Sequence, residues 1–183
     1  MNQGAALIAW TRRHLAERLA GGEGVSPETV ETALPETHTP GACFITLTEG
    51  GALRGCVGSL AAHRPLSTDL LENAVAAATR DPRFSPLTRE ALERVRIEIS
   101  LLTPAQPLPY DGPEDLLRKL QPGVHGVILQ RDGRRSTFLP QVWEQLPDPR
   151  VFLEHLCRKA GLMGDCWQRG ANIQVYTVEK FKE

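Results

Sequence analysis

Residues 94–102 alternate between apolar and polar side chains, and this segment constrains the fold more than any other. Val95, Ile97, Ile99 and Leu101 fall on one side of an extended chain; Arg94, Arg96, Glu98 and Ser100 fall on the other. A period of two describes a half-buried strand with one polar face. Residues 43–48, rich in β-branched and aromatic types, predict a second strand. Glu49-Gly50-Gly51-Ala52 predicts a turn, and residues 53–60 a returning hairpin arm. Asp132-Gly133, flanked by residues 124–130 and 135–139, predicts another hairpin, and residues 172–181 read as one final strand.

Helical periodicity fills the intervals. Leu7, Leu15 and Leu19 share a face over residues 5–20, stopped by Gly21-Gly22. Leu66, Leu70, Leu71, Ala74, Val75 and Ala78 form the stripe of a second helix, ended by Asp81-Pro82. Leu116, Leu117 and Leu120 mark a short one. Asp148-Pro149 gives the best-marked start, an N-cap followed by proline at N1, ahead of the stripe Phe152, Leu153, Leu156, Cys157 and Ala160. Residues 21–40 predict a connector that holds a short helix or a mobile arm. Hairpins interspersed with helices predict an α+β fold: a mixed or mainly antiparallel sheet with flanking helices, in one compact body or two small lobes sharing a core.

Charge is balanced, with 21 Lys and Arg against 22 Asp and Glu. This gives no general nucleic-acid signal, and 5% aromatics leave few base-stacking candidates. Small basic clusters, Arg12, Arg13 and His14 on the first helix and Arg131, Arg134 and Arg135 at the second hairpin turn, read as solvated faces, so nucleic-acid binding is a minor option. The apolar run at residues 5–10 is too short for a spanning helix of about 20 residues or for a signal core. We therefore expect a cytoplasmic protein with no membrane segment. Its thiols, Cys43, Cys56, Cys157 and Cys166, are expected to be reduced. No paired C-x-x-C or H-x-x-x-H spacing predicts a metal, and no Walker or G-x-S-x-G motif occurs.

The densest chemical segment is Leu53-Arg54-Gly55-Cys56-Val57-Gly58. Glycines let a backbone bend and let a ligand approach, and a nearby guanidinium favours a thiolate. The residues fit a nucleophile or a small anion-binding loop; they equally fit a buried cysteine in a kinked strand. With Gly50-Gly51 central in the turn, Cys56 would lie opposite Ile45 and diagonal to Cys43, making a redox pair conceivable. A bulge at Gly55 would flip the faces.

This segment resembles the LRGCIG signature of the AMMECR1-domain family, with Val57 in place of the usual isoleucine. Asp81-Pro82-Arg83-Phe84, Glu98-Ile99-Ser100-Leu101-Leu102, Gly123-Val124-His125-Gly126-Val127 and Phe138-Leu139-Pro140-Gln141-Val142-Trp143 look like further family blocks, in order. The resemblance implies a compact α+β domain of the prokaryotic single-domain type, with the signature block as functional site and no settled reaction or cofactor. It also implies a system shared with a Memo-like protein and a radical-SAM protein.

Two functional readings follow. In the first, the chain is a small enzyme or enzyme subunit acting on an unspecified small molecule. Cys56 would be nucleophile or thiol ligand. Arg54, Gly55, Gly58 and Arg83 would bind the substrate, with Glu98 and His125 as acid/base groups. Each has a structural alternative: Arg83 pairing with Asp81, Glu98 laddering with Arg94 and Arg96, His125 simply occupying a glycine-rich turn. In the second reading, the chain is a non-catalytic adaptor whose LRGC segment is a rigid element.

Overall fold

The structure, a computed structural model, describes residues 3–183. The chain divides into two compact units. The first runs to Leu102 and takes up Glu179–Glu183; the second is Thr103–Val178. Each has its own hydrophobic cluster.

In chain order the first unit contains α1 (Gln3–Leu19), α2 (Pro27–Ala33), β1 (Pro40–Glu49), β2 (Ala52–Gly58), β3 (Arg64–Pro65), α3 (Leu66–Thr79) and β4 (Val95–Leu102). The second contains β5 (Gln106–Pro107), α4 (Pro113–Lys119), β6 (Gly126–Arg131), β7 (Arg134–Phe138), α5 (Pro149–Lys159) and β8 (Asn172–Tyr176); β9 (Val178–Lys182) then returns to the first sheet. The 172–181 segment is thus two strands rather than one. Thr177 lies at the break, where its N–H donates to Thr103 Oγ1. The 21–40 connector holds α2, capped by Ser26, and a 3-10 turn at Pro35–His38.

The first sheet has the order β2-β1-β4-β9, with β3 on β1. Its inner face carries Cys43, Ile45, Leu47, Ile97 and Ile99 against Leu7 and Leu15 of α1 and Leu70 and Ala74 of α3. The alternation of residues 94–102 is what β4 uses. Val95, Ile97 and Ile99 are buried, and each such side chain contributes roughly 1.5–3 kcal/mol. The second sheet has the order β5-β8-β6-β7. Asp132 and Gly133 take positive φ at the β6–β7 turn, as a two-residue hairpin needs. Asp148 caps α5 by accepting from the Arg150 N–H at 2.8 Å. The expectation of four reduced thiols is corrected: Cys157 and Cys166 form a disulfide. Cys157 faces the core from α5, and the chain returns Cys166 to it nine residues later.

Candidate functional site

β2 is the outer strand of the first sheet, hydrogen-bonded only to β1. Glu49 pairs with Ala52 across the Gly50-Gly51 turn, but the register then slips: Thr48 opposes Leu53 while Leu47 opposes Gly55. Arg54 is the extra residue of a β-bulge. From there on every side chain of β2 changes face relative to an unbulged hairpin. Cys56 therefore opposes Thr46, not Ile45. It lies on the outer face, while Cys43 lies on the inner face, so the conceivable Cys43–Cys56 pair does not form; both are free thiols.

The two signature glycines are filled by the protein itself. A Cβ on Gly55 would stand 2.1 Å from the Ala77 carbonyl oxygen, so this glycine lets the strand press against the last turns of α3. A Cβ on Gly58 would meet the Phe44 ring at 2.3 Å. Gly55 and Gly58 thus make room for a helix backbone and an aromatic ring.

Cys56 is half-buried. Thr46 Oγ1 donates to its sulfur at 3.4 Å. Its backbone N–H, pointing away from β1, donates to Asp81 Oδ2 at 2.9 Å. Asp81 follows directly on the end of α3 and closes an Asx turn by accepting from the Arg83 N–H at 3.1 Å. The Arg83 guanidinium donates to both carboxylate oxygens, at 3.0 and 2.7 Å. These Arg83 bonds, then the Cys56 N–H, hold the Asp81 carboxyl far below the usual carboxylate range. The ion pair foreseen for Arg83 is present, and it fastens the loop 81–84 to the edge strand at Cys56.

Phe84 lies between two cations. The Arg83 guanidinium is 5.5 Å from its ring centroid and that of Arg54 is 5.9 Å away. Asp81 neutralises Arg83, whereas Arg54 has no carboxylate partner among the described residues. Arg54, two residues before the half-buried Cys56, thus keeps an unneutralised charge.

Glu98 shares a row with Cys56, because Thr46 pairs with both. Two strand spacings still separate them, about 10 Å. Its partners are Lys182 at 2.9 Å and Lys180 at 3.4 Å, not Arg94 or Arg96. Burial pushes its carboxyl up, but the two lysines outweigh that and hold it below its ordinary value.

The sequence matches AMMECR1 over residues 8–181. The chain belongs to the AMMECR1 family. Among AMMECR1 relatives, a protein of Methanosarcina acetivorans is 36% identical over 184 residues, covering 99% of this chain and 92% of its own length. One from Methanopyrus kandleri is 33% identical, covering 100% and 89%. A solved structure, an uncharacterized protein from Pyrococcus horikoshii, superposes with a TM-score of 0.78 at 32% identity, over 98% of this chain and 91% of that one.

The remaining residues of the AMMECR1 blocks have local partners. His125 belongs to the second unit. Its Nδ1 accepts from the Gln121 N–H at 3.2 Å, and burial lowers its pKa. Its carbonyl accepts from Trp143 Nε1 at 2.7 Å. Of the basic clusters, Arg131 and Arg134 donate to the carbonyls of Cys166 and Gly161, and Arg12 pairs with Glu183. Arg12 and Arg131 are half-buried, while Arg134 stays exposed as a solvated face would have it. Among the described residues no His, Cys, Asp and Glu side chains gather as a metal site would require, and no helix is long and apolar enough to cross a membrane. Sequence reasoning took Asp81 as a helix terminator and as a partner for Arg83, but missed its bond to the Cys56 amide and missed Thr46 and Phe84. The Asp81-Pro82-Arg83-Phe84 block was the one signal that could have drawn attention to the loop.

Proposed function

We propose that this AMMECR1 protein is a small enzyme or enzyme subunit that presents Cys56 to an anionic substrate. The observation that carries the reading is the Asp81 carboxylate, which ties the Cys56 amide and the Arg83 guanidinium into one rigid element. Arg54, with its charge unneutralised, is free to take an oxyanion, and the Phe84 face holds both guanidiniums in place. Cys56 acts as nucleophile or thiol ligand. Glu98, paired to two lysines and two strands away, contributes charge to the same face rather than a proton, and no step is assigned to His125. The family resemblance adds a Memo-like protein and a radical-SAM protein as the partners with which it acts.

The test compares a negatively charged with a neutral alkylating agent, since Cys43 is buried and the other two cysteines are bonded. Iodoacetate should gain on iodoacetamide at Cys56 relative to a free cysteine peptide, and Arg54→Gln should remove several-fold of that gain. A ratio equal to the peptide's, unchanged in Arg54→Gln, would sink the reading. The adaptor reading has one observation of its own: Leu53 and Leu60, in and just beyond the edge strand, are each 41% exposed. Capture of the Memo-like protein that is lost in Leu53→Glu but kept in Cys56→Ser would favour it.

A further inference from the structure

A polar cleft lies in the first unit, between α1, the loop before α2, and α3. It encloses about 410 Å³ and is lined by His14, Arg18, Glu23, Leu71, Val75 and Arg80, among others. His14 is only 7% exposed. Its Nδ1 lies 3.1 Å from the Val25 carbonyl oxygen, which can only accept, so Nδ1 carries the hydrogen. The other ring nitrogen, Nε2, has no hydrogen-bond partner among the described residues, yet it is not among the atoms sealed from solvent. Burial, reinforced by the Arg18 charge, keeps the imidazole neutral and its pKa low, so Nε2 offers a lone pair.

The ring is held in this orientation by close packing. Gly24 has φ +79°, and a Cβ there would stand 2.6 Å from the imidazole and 2.9 Å from the Arg18 Cδ. Only glycine lets the loop close over both side chains. Arg18 and Arg80 form no hydrogen bond or ion pair through their side chains among the described residues, nor does Glu23. Two guanidiniums without a direct ion-pair partner, a fixed acceptor and an aliphatic wall therefore line one cleft, together with the Glu23 carboxylate and the Glu72 carboxylate that Arg64 pairs.

We propose that this cleft binds a small aliphatic carboxylate bearing a hydrogen-bond donor beside the carboxyl group, a 2-hydroxy or 2-amino acid. Arg18 and Arg80 take the carboxylate. The adjacent O–H or N–H donates to His14 Nε2, and the hydrocarbon end lies on Leu71 and Val75. The unpaired Glu23 carboxylate favours the amino form, so the two sources are separable.

The experiment is a titration followed by the 15N shift of His14 Nε2 and the methyl signals of Leu71 and Val75. The probes are L-leucine, 2-hydroxy-4-methylpentanoate and 4-methylpentanoate, which lacks the donor. The proposal expects saturable shifts with at least one of the first two. Affinity should weaken about tenfold or more in Arg18→Gln/Arg80→Gln, where both replaced side chains are exposed and unpartnered. Loss of the response to L-leucine but not to the hydroxy acid in Glu23→Gln would support the amino-acid form. No shift at millimolar concentration with either donor-bearing probe would overturn it. So would 4-methylpentanoate binding as tightly as both, or binding undiminished in the double variant.

Discussion

Two aspartates stand at opposite ends of α3, and their difference explains why one cysteine of this chain is a candidate and another is not. Asp69, in the first turns of the helix, accepts from the backbone N–H of Cys43 at 2.9 Å and from Arg64 Nε at 2.8 Å. Asp81, just past the far end, accepts from the backbone N–H of Cys56 and from Arg83. Each construction joins a carboxylate, a cysteine amide on a strand and an arginine. The Asp69 clamp is sealed: its carboxylate is fully buried, Asn73 and Ser59 also donate to it, and Cys43 is at 0% exposure. The Asp81 clamp is open, with the Arg83 side chain 55% exposed and the Cys56 sulfur on the outer face. Both carboxylates are buried; the clamps differ in the exposure of the arginine, 25% for Arg64 against 55% for Arg83, and in the face on which the cysteine sulfur lies.

Several variants would break or sharpen that contrast. The largest effect is expected at Asp69→Ala, which strands Asn73 and the Cys43 amide in the interior and takes the buried partner of Arg64 away. Urea denaturation should show a loss of roughly 3–5 kcal/mol. Asp81→Ala should lower stability much less and change Cys56 alkylation instead; equal stability losses would mean that the clamps do not differ in kind. Gly55→Ala comes next, because its methyl would meet the Ala77 carbonyl and part the edge strand from α3. A cost of about 1–3 kcal/mol is expected, together with altered Cys56 labelling.

The smallest effect is on pH dependence, and the two clamps should act at opposite ends of the scale. Burial and the Asp69 charge push the Cys43 thiol well above its ordinary 9.0. Its contribution is then complete below that value and is lost as pH rises beyond it, since the unfolded chain ionises first. The Asp81 carboxyl, held low by Arg83 and the Cys56 N–H, contributes fully above its ordinary 3.8 and is lost only as pH falls further. Urea midpoints across both limbs check this. Cys43→Ala should flatten the alkaline limb and leave the acid limb as it was.

Much of the architecture was legible because it is local. The alternation of residues 94–102, the Asp132-Gly133 turn and the Asp148 cap each act within a few residues, so composition and spacing determine them. The site was legible only as a segment. Its geometry depends on a single inserted residue, Arg54, and nothing in Leu53-Arg54-Gly55 says which residue is extra. That one residue decides whether Cys56 faces the core or the outer face. The partners that matter come from afar: Asp81 reaches back 25 residues to the Cys56 amide, and Lys180 and Lys182 meet Glu98 across the sheet. The Cys157–Cys166 bond escaped for a similar reason, since Cys157 fits a buried helical stripe whether or not it is bonded.

The claim at the centre of the account is that the open clamp leaves Cys56 reachable while the closed one withholds Cys43. Peptide mapping of the native, unreduced protein after brief treatment with iodoacetamide tests it most directly. The account predicts that Cys56 carries the label and that Cys43 stays unmodified until the protein is unfolded. Labelling of Cys43 at a rate comparable to Cys56 in the folded protein would contradict it.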